Sequence, residues 1–247
     1  MLSRYILGNR VDSLTMDEAV DKIAEFIKEG KPHHIVTMNA EIAYQAYNNP
    51  QLQAVINRAD LVTADGSGIV WAAKKLGKPV KERVTGIDLL KALANEGSKR
   101  GWRFYLYGAA PGVAAKAAKR LEQDYVGIKV VGTKNGYISE REMPALIKDI
   151  KGVKPDILLV GLGAPRQEYW IARHLEEVQV PVMIGVGGSF DVLAGVVPRA
   201  PEWIQRLNLE WLYRIVKFKR FKRALALPKF MLAVLKEARQ EEQEKGS

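Results

Sequence analysis

Asp65 closes an apolar run, Leu61-Val62-Thr63-Ala64, and is followed at once by Gly66-Ser67-Gly68. A carboxylate in that position can take the proton from a substrate hydroxyl, and the small residues after it let a ligand approach the backbone. The competing role is structural, because an aspartate just before Ser67 can also cap the next helix. Thr37 and Asn39 end a second β-rich run, His34 to Asn39, with a hydroxyl and an amide. Both groups suit sugar hydroxyls, and Asn39 is equally placed to be an N-cap. Arg83, within Lys81-Glu82-Arg83-Val84-Thr85-Gly86, falls in a connection between helices, where an arginine is ordinarily just solvated.

Two glycine-containing turns, Gly108 to Gly112 and Gly161-Leu162-Gly163-Ala164-Pro165-Arg166-Gln167-Glu168, lie between strand-like and helix-like segments. Such turns can present backbone N–H groups to phosphate oxygens at a helix N-terminus. Neither is a dinucleotide fingerprint, since Arg166 occupies the third glycine position, and the Walker pattern is missing. The ten aspartates form no Asp-x-Asp pair, the usual device for holding a divalent ion on a sugar nucleotide. The histidines (His33, His34, His174) have no metal-ligand spacing and read as surface or helix-face residues. A bound nucleotide diphosphate would therefore have to be met by helix N-termini and arginines, with Arg214, Arg220 and Arg223 as candidates.

These residues need a scaffold, and the sequence supplies one. Thr15-Met16-Asp17-Glu18 reads as a capping box for a helix that Gly30 closes. Strand-like runs at His34 to Asn39, Leu61 to Asp65, Arg103 to Tyr107, Ile128 to Val131, Asp156 to Val160 and Val182 to Val186 alternate with helical stretches, among them about Ser139–Ile150 and Pro165–Val178. That alternation predicts an α/β fold with a mostly parallel sheet covered by helices on both faces, Rossmann-like. Ligands of such sheets bind beyond the carboxyl ends of the strands. Thr37, Asn39, Asp65, Gly108, Gly161 to Arg166 and Gly187 to Asp191 all fall there.

Of the net charge of +10, residues 199–239 carry +8, whereas residues 1–198 carry +4 and the last eight −2. After Pro201 the remainder reads as helical, with an apolar stripe at Ile204, Leu207, Trp211, Ile215, Phe218 and Leu225 among Lys217, Lys219, Arg220, Lys222 and Arg223; Pro228 is expected to break the run. We divide the chain into a catalytic body, 1–198, and a helical appendage, 199–247. A basic helix with Trp, Phe and Leu on its other face suits an anionic membrane surface; the alternative is a helix packed on the core with a solvated basic edge. No run of about 18 apolar residues is present, so a peripheral position on the inner face of the cell membrane, in the cytoplasm, is expected. No cysteine occurs, which removes disulfides and thiolate chemistry. No nucleic-acid motif accompanies the positive charge, so nucleic acid is not an expected partner.

Thr37-Met38-Asn39, Ala64-Asp65-Gly66, Arg83 to Leu89, Gly161 to Glu168, Gly185 to Asp191, Arg199-Ala200-Pro201-Glu202-Trp203 and Glu210-Trp211-Leu212-Tyr213-Arg214 together resemble, in order, the motifs of the WecG/TagA/CpsF glycosyltransferase family. The resemblance covers nearly the whole chain. It implies inverting, metal-independent transfer of N-acetylmannosamine from its UDP donor to the 4-hydroxyl of N-acetylglucosamine on undecaprenyl diphosphate, with no cofactor. It puts Asp65 at the general base and Thr37, Asn39, Arg83 and Gln167 in the sugar and acceptor pocket, with Asp191 near the nucleotide. Gly108, Gly163, Arg166 and Gly187, with Arg214, Arg220 and Arg223, complete the expected substrate-binding set. Another donor, such as UDP-N-acetylmannosaminuronic acid or a UDP-hexose, and a non-catalytic nucleotide- or membrane-binding module are the alternatives. The oligomeric state is left open, a homo-oligomer included.

Overall fold

The computed structural model describes residues 2–201, 203, 204, 213, 217 and 226–246. Strands β3 (His33–Met38), β4 (Leu61–Ala64), β5 (Arg103–Gly108), β6 (Lys129–Lys134), β7 (Ile157–Gly161) and β8 (Val182–Gly185) form one six-stranded sheet in the order β4-β3-β8-β7-β5-β6. Every pairing within it is parallel. All carboxyl ends therefore lie along one edge, as the alternation predicts.

Helices cover both faces, because the strands are apolar on both. Ile35, Leu61, Phe104, Leu106, Ile157, Leu159, Val182 and Ile184 face α1 (Met16–Glu29), α5 (Gly86–Arg100), α6 (Val113–Asp124) and α9 (Ser189–Leu193). Val36, Met38, Val62 and Ala64 face the other way, toward α2 (Ala40–Tyr47), α3 (Pro50–Arg58), α4 (Ser67–Lys75) and the C-terminal helix α10 (Ala226–Gly246). Tyr105, Tyr107, Leu158, Val160 and Met183 extend that second face onto α7 (Met143–Val153) and α8 (Arg166–Val178). The Thr15 capping box and the left-handed Gly30 C-cap (φ 72°) set the ends of α1 as expected.

Several local expectations change. An antiparallel hairpin, β1 (Leu2–Ile6) and β2 (Asn9–Ser13), precedes the sheet. Its two-residue turn has positive φ at Leu7 (51°) and Gly8 (73°), the geometry that fits the twist of a hairpin. A leucine there gave no turn signal. The helix expected from Ser139 to Ile150 begins as a 3-10 turn, Glu140–Glu142, because Pro144 starts α7 with its missing N–H in the first turn. Pro228 falls within α10, and the run it is expected to break, residues 204–225, lies largely outside the described residues. His174 lies on a face of α8 as expected, but none of the three histidines is at the surface. His33 stacks on Phe26 with ring centroids 3.9 Å apart, and His34 and His174 are also buried. Burial pushes the His34 imidazole down to about 4 against the opposing pull of Asp60, so His34 is neutral at pH 7.

α10 packs on the body through Phe230, Val234 and Ala238, which join the core around α2 and α4. Further along it, Glu237 accepts the Leu7 N–H at 2.9 Å and Glu241 pairs with Lys78 at 2.6 Å. Among the described residues, no helix is long and apolar enough to cross a membrane.

Candidate active site

Asp65 follows β4 directly, its backbone N–H bonded to the Met38 carbonyl at 2.8 Å. It does not cap α4: the N-cap is Gly66 (φ 91°), with no side-chain cap bond. The carboxylate instead accepts the Gly86 N–H at 3.3 Å, at the N-terminus of α5. There the unpaired N–H groups of a 15-residue helix favour negative charge. The 82–86 segment is led to this position by the Val84 N–H on the Ala64 carbonyl (3.0 Å) and the Thr63 hydroxyl on the Val84 carbonyl (3.1 Å).

Thr37 converges on the same helix start. A Cβ at Gly86 would stand 3.1 Å from the Thr37 hydroxyl oxygen, so glycine brings α5 against β3. Thr37 itself is buried and donates to the Gly185 carbonyl at 2.9 Å, tying β3 to β8. Asn39 takes the capping role, its side-chain oxygen accepting from Glu41 and Ile42 N–H. Arg83 is half-buried in the connection leading to α5.

Gln167 reaches β8 from the opposite face. It is buried, its Oε1 accepts the Gly187 N–H at 2.9 Å, and its Nε2 donates to Glu168 at 2.9 Å. The β8–α9 turn is thus held by Thr37 on one side and Gln167 on the other. Asp191 folds back toward this turn, its Oδ2 3.6 Å from where a Gly188 Cβ would stand. Gly163 (φ 77°) and Gly187 (φ 53°) need glycine for their left-handed backbone, and open space lies where their side chains would point. Gly108 (φ 135°) packs directly on Gly161, where a Cβ would come within 2.4 Å of backbone. Arg166 is exposed and donates to the Leu162 carbonyl of its own turn at 2.9 Å.

Two further residues shape the rim. Asp88, in the first turn of α5, pairs with Arg199 at 2.8 Å and accepts the Thr85 hydroxyl at 2.6 Å. Burial raises the Asp88 carboxyl, but the Arg199 and Thr85 hydrogen bonds outweigh it and hold the group below its usual range. On the other face Leu227, at the start of α10, lies 3.3 Å from a Cβ built at Gly68, three residues after Asp65. Arg199 and Leu227 therefore bring the chain to the same sheet edge from both faces. Arg214, Arg220 and Arg223 come between them in sequence and lie outside the described residues.

The set is a polar rim along the carboxyl edge of a parallel sheet: a carboxylate, an amide and an arginine reach solvent, with a buried hydroxyl and a buried amide beneath. It can bind a polyhydroxylated ligand and remove a proton from it. Two concavities among the described residues, of about 260 and 340 Å³, lie away from this edge, between α6 and α9 and between the hairpin turn and α10. Convergence of polar groups marks this edge. Residues 4–244 match the glycosyl transferase WecG/TagA/CpsF family.

The chain belongs to that family. Similar proteins of this glycosyltransferase family include one of Bacillus spizizenii, 38% identical over 215 residues, covering 87% of this chain and 83% of that protein. One of Staphylococcus aureus is 36% identical over 237 residues, covering 95% and 92%. One of Bacillus subtilis is 38% identical over 204 residues, covering 82% and 79%. Each is named N-acetylglucosaminyldiphosphoundecaprenol N-acetyl-beta-D-mannosaminyltransferase.

In this glycosyltransferase the residues singled out in sequence gather as follows. Asp65, Thr37 and Asn39 share the β3–β4 end of the edge, with Arg83 in the connection beside it. Gln167, Gly187 and Asp191 share the β8–α9 end, and Gly108, Gly163 and Arg166 sit on the β5 and β7 turns. Thr37 and Gln167 act within the protein as struts. Glu168, Asp88 and Arg199 were not selected, although each lies inside a quoted motif. Asp88 and Arg199 pair across 111 residues, and Glu168 is marked by its burial, neither of which one sequence reveals.

Proposed function

We propose that this chain is an inverting transferase moving N-acetylmannosamine from UDP-N-acetylmannosamine to the 4-hydroxyl of N-acetylglucosamine on undecaprenyl diphosphate. The observation that carries the mechanism is Asp65, a carboxylate at the strand edge held on the α5 N-terminus by the Gly86 N–H. The family and the names of the three relatives, over most of both chains, support the reaction.

Asp65 removes the acceptor proton as the anomeric carbon is attacked from the face opposite UDP. Asn39 and Arg83 flank it and orient the two sugars, while Thr37 and Gln167 fix the strand ends on which these groups stand. Negative charge developing on the departing diphosphate is met by backbone N–H groups of the glycine turns and by Arg214, Arg220 and Arg223. The described residues before and after these arginines, Arg199 and Leu227, reach this edge and support that assignment. No metal is needed on this reading, the arginines supplying the positive charge. The basic appendage attaches the enzyme to the inner face of an anionic membrane, where its lipid acceptor is found.

A general base of this kind is worth about 10²–10⁴-fold in rate. The test is a transfer assay with a panel of UDP-sugars and a lipid-diphosphate-GlcNAc analogue, run with EDTA. Product from UDP-N-acetylmannosamine alone supports the reading; a preference for a uronate or hexose donor, or no transfer at all, overturns it.

A further inference from the structure

Glu168, on the first turn of α8, is 1% exposed, and no cation pairs with it among the described residues. Its Oε1 accepts from Gln167 Nε2 at 2.9 Å, and its Oε2 has no hydrogen-bond partner among the described residues. Gln167 is 3% exposed and uses the other end of its amide to accept the Gly187 N–H. An amide set between an acceptor and a donor satisfies both in one orientation only. Turned over, its NH₂ would face the Gly187 N–H. Glu168 therefore selects the orientation of Gln167 that holds Gly187.

Space for the pair comes from Gly185. A Cβ there would stand 2.6 Å from Gln167 Nε2 and 3.1 Å from Glu168 Oε1. The turn that Gln167 grips is fixed at three more points: Thr37 on the Gly185 carbonyl, the Val186 N–H on the Val160 carbonyl (2.9 Å), and the Ser189 hydroxyl on the Val186 carbonyl (2.7 Å). Of these tethers, the Gln167 bond alone reaches Gly187, whose left-handed backbone sets the direction of the chain into Gly188 and Asp191.

We propose that Glu168 is a positioning residue that acts through the Gln167 amide to fix the Gly187–Asp191 turn, and through it the donor side of the active site. The catalytic part of this assignment rests on the proposed glycosyl transfer; the structural part does not. A buried carboxyl with one oxygen unpaired is costly to keep for packing alone, and a hydrophobic side chain would fill the same space.

The experiment compares wild type, Glu168→Ala, Glu168→Gln, Gln167→Ala and the Gln167→Ala/Glu168→Ala double variant. Transfer from UDP-N-acetylmannosamine to a lipid-diphosphate-GlcNAc analogue is measured, and the backbone amide resonance of Gly187 is followed in ¹⁵N-labelled protein. Glu168→Ala is expected to lower kcat/KM on the order of 10–100-fold, the scale of a displaced active-site element, and to move the Gly187 resonance. Glu168→Gln keeps an acceptor for Gln167 and stays near wild type in both. The double variant matches Gln167→Ala alone, since Glu168 has no second route to the site. A Gly187 resonance unmoved by Glu168→Ala, or a double variant far below Gln167→Ala, overturns the proposal. If Glu168→Ala does not fold, Glu168→Gln decides it: lost activity with an unmoved Gly187 resonance is contrary, and retention of both agrees. A wild type inert with this donor counts against the proposed reaction only, and the resonance still decides the positioning role.

Discussion

Replacing Glu168 by glutamine should change how stability depends on pH. Burial pushes the Glu168 carboxyl up from its ordinary 4.5 to about 7, against the opposing hydrogen bond from Gln167. Below about pH 4.5 the folded and unfolded chains both hold the proton, and the group costs nothing. As pH rises from there toward 7, the unfolded chain ionises while the folded one does not. Stability is lost at about 1.4 kcal/mol per pH unit and levels off above the folded value. Over roughly two and a half units the loss approaches about 3 kcal/mol. Glutamine keeps the shape and the acceptor for Gln167 and does not titrate. Urea unfolding of both proteins at pH 5 and pH 8 checks this, because any constant cost of the extra NH₂ cancels between the two pH values. The stability of Glu168→Gln relative to wild type should rise by about 2–3 kcal/mol from pH 5 to pH 8. In thermal melts the relative Tm should rise by roughly 4–12 °C, at the 2–4 °C per kcal/mol usual for chains of this size. An equal difference at both pH values would mean that Glu168 titrates as an ordinary carboxylate, and the burial account would be wrong.

Other substitutions probe the remaining supports. Gly185→Ala drives a methyl to 2.6 Å from Gln167 Nε2 and should destabilise by about 1–3 kcal/mol in chemical unfolding while shifting the Gly187 amide resonance. Phe230→Ala removes a fully buried ring that joins α10 to the core and should cost about 3–5 kcal/mol by the same measurement. Arg199→Ala should raise the Asp88 carboxyl toward its ordinary value. Because the wild-type group is depressed, its stabilising share is present above the unfolded value and is lost as pH falls through the folded one. Partial exposure keeps that share to about 1 kcal/mol, visible as a shallower acid limb of the unfolding curve in the variant.

The parallel sheet and its site-bearing edge were legible in the sequence because apolar runs of four to six residues alternate with capped helices. Asp65, Thr37 and Asn39 could be read as strand-end residues from their immediate neighbours. What each side chain does there could not. Asn39 and Asp65 looked alike as N-cap candidates, and the choice between them depends on Gly86, 21 residues beyond Asp65, which gives its N–H to Asp65 and its missing side chain to Thr37. Gln167 lies buried between α8 and β8, where Gly185 makes room for it, a placement that its immediate neighbours do not reveal. The buried histidines were misjudged for a related reason: His33 and His34 sit on a strand covered on both faces, where stacking on Phe26 and burial replace solvent. Arg214, Arg220 and Arg223 fall outside the described residues, and their role stands as part of the proposed function.

The central claim is that the Asp65 carboxylate takes the acceptor proton. Turnover of Asp65→Asn with UDP-N-acetylmannosamine and the lipid-diphosphate-GlcNAc analogue, measured beside donor binding and Tm, tests it most directly. Asparagine retains an oxygen for the Gly86 N–H, so fold and donor affinity should stay near wild type while kcat falls about 10²–10⁴-fold. An Asp65→Asn protein that turns over as fast as the wild type would contradict the account.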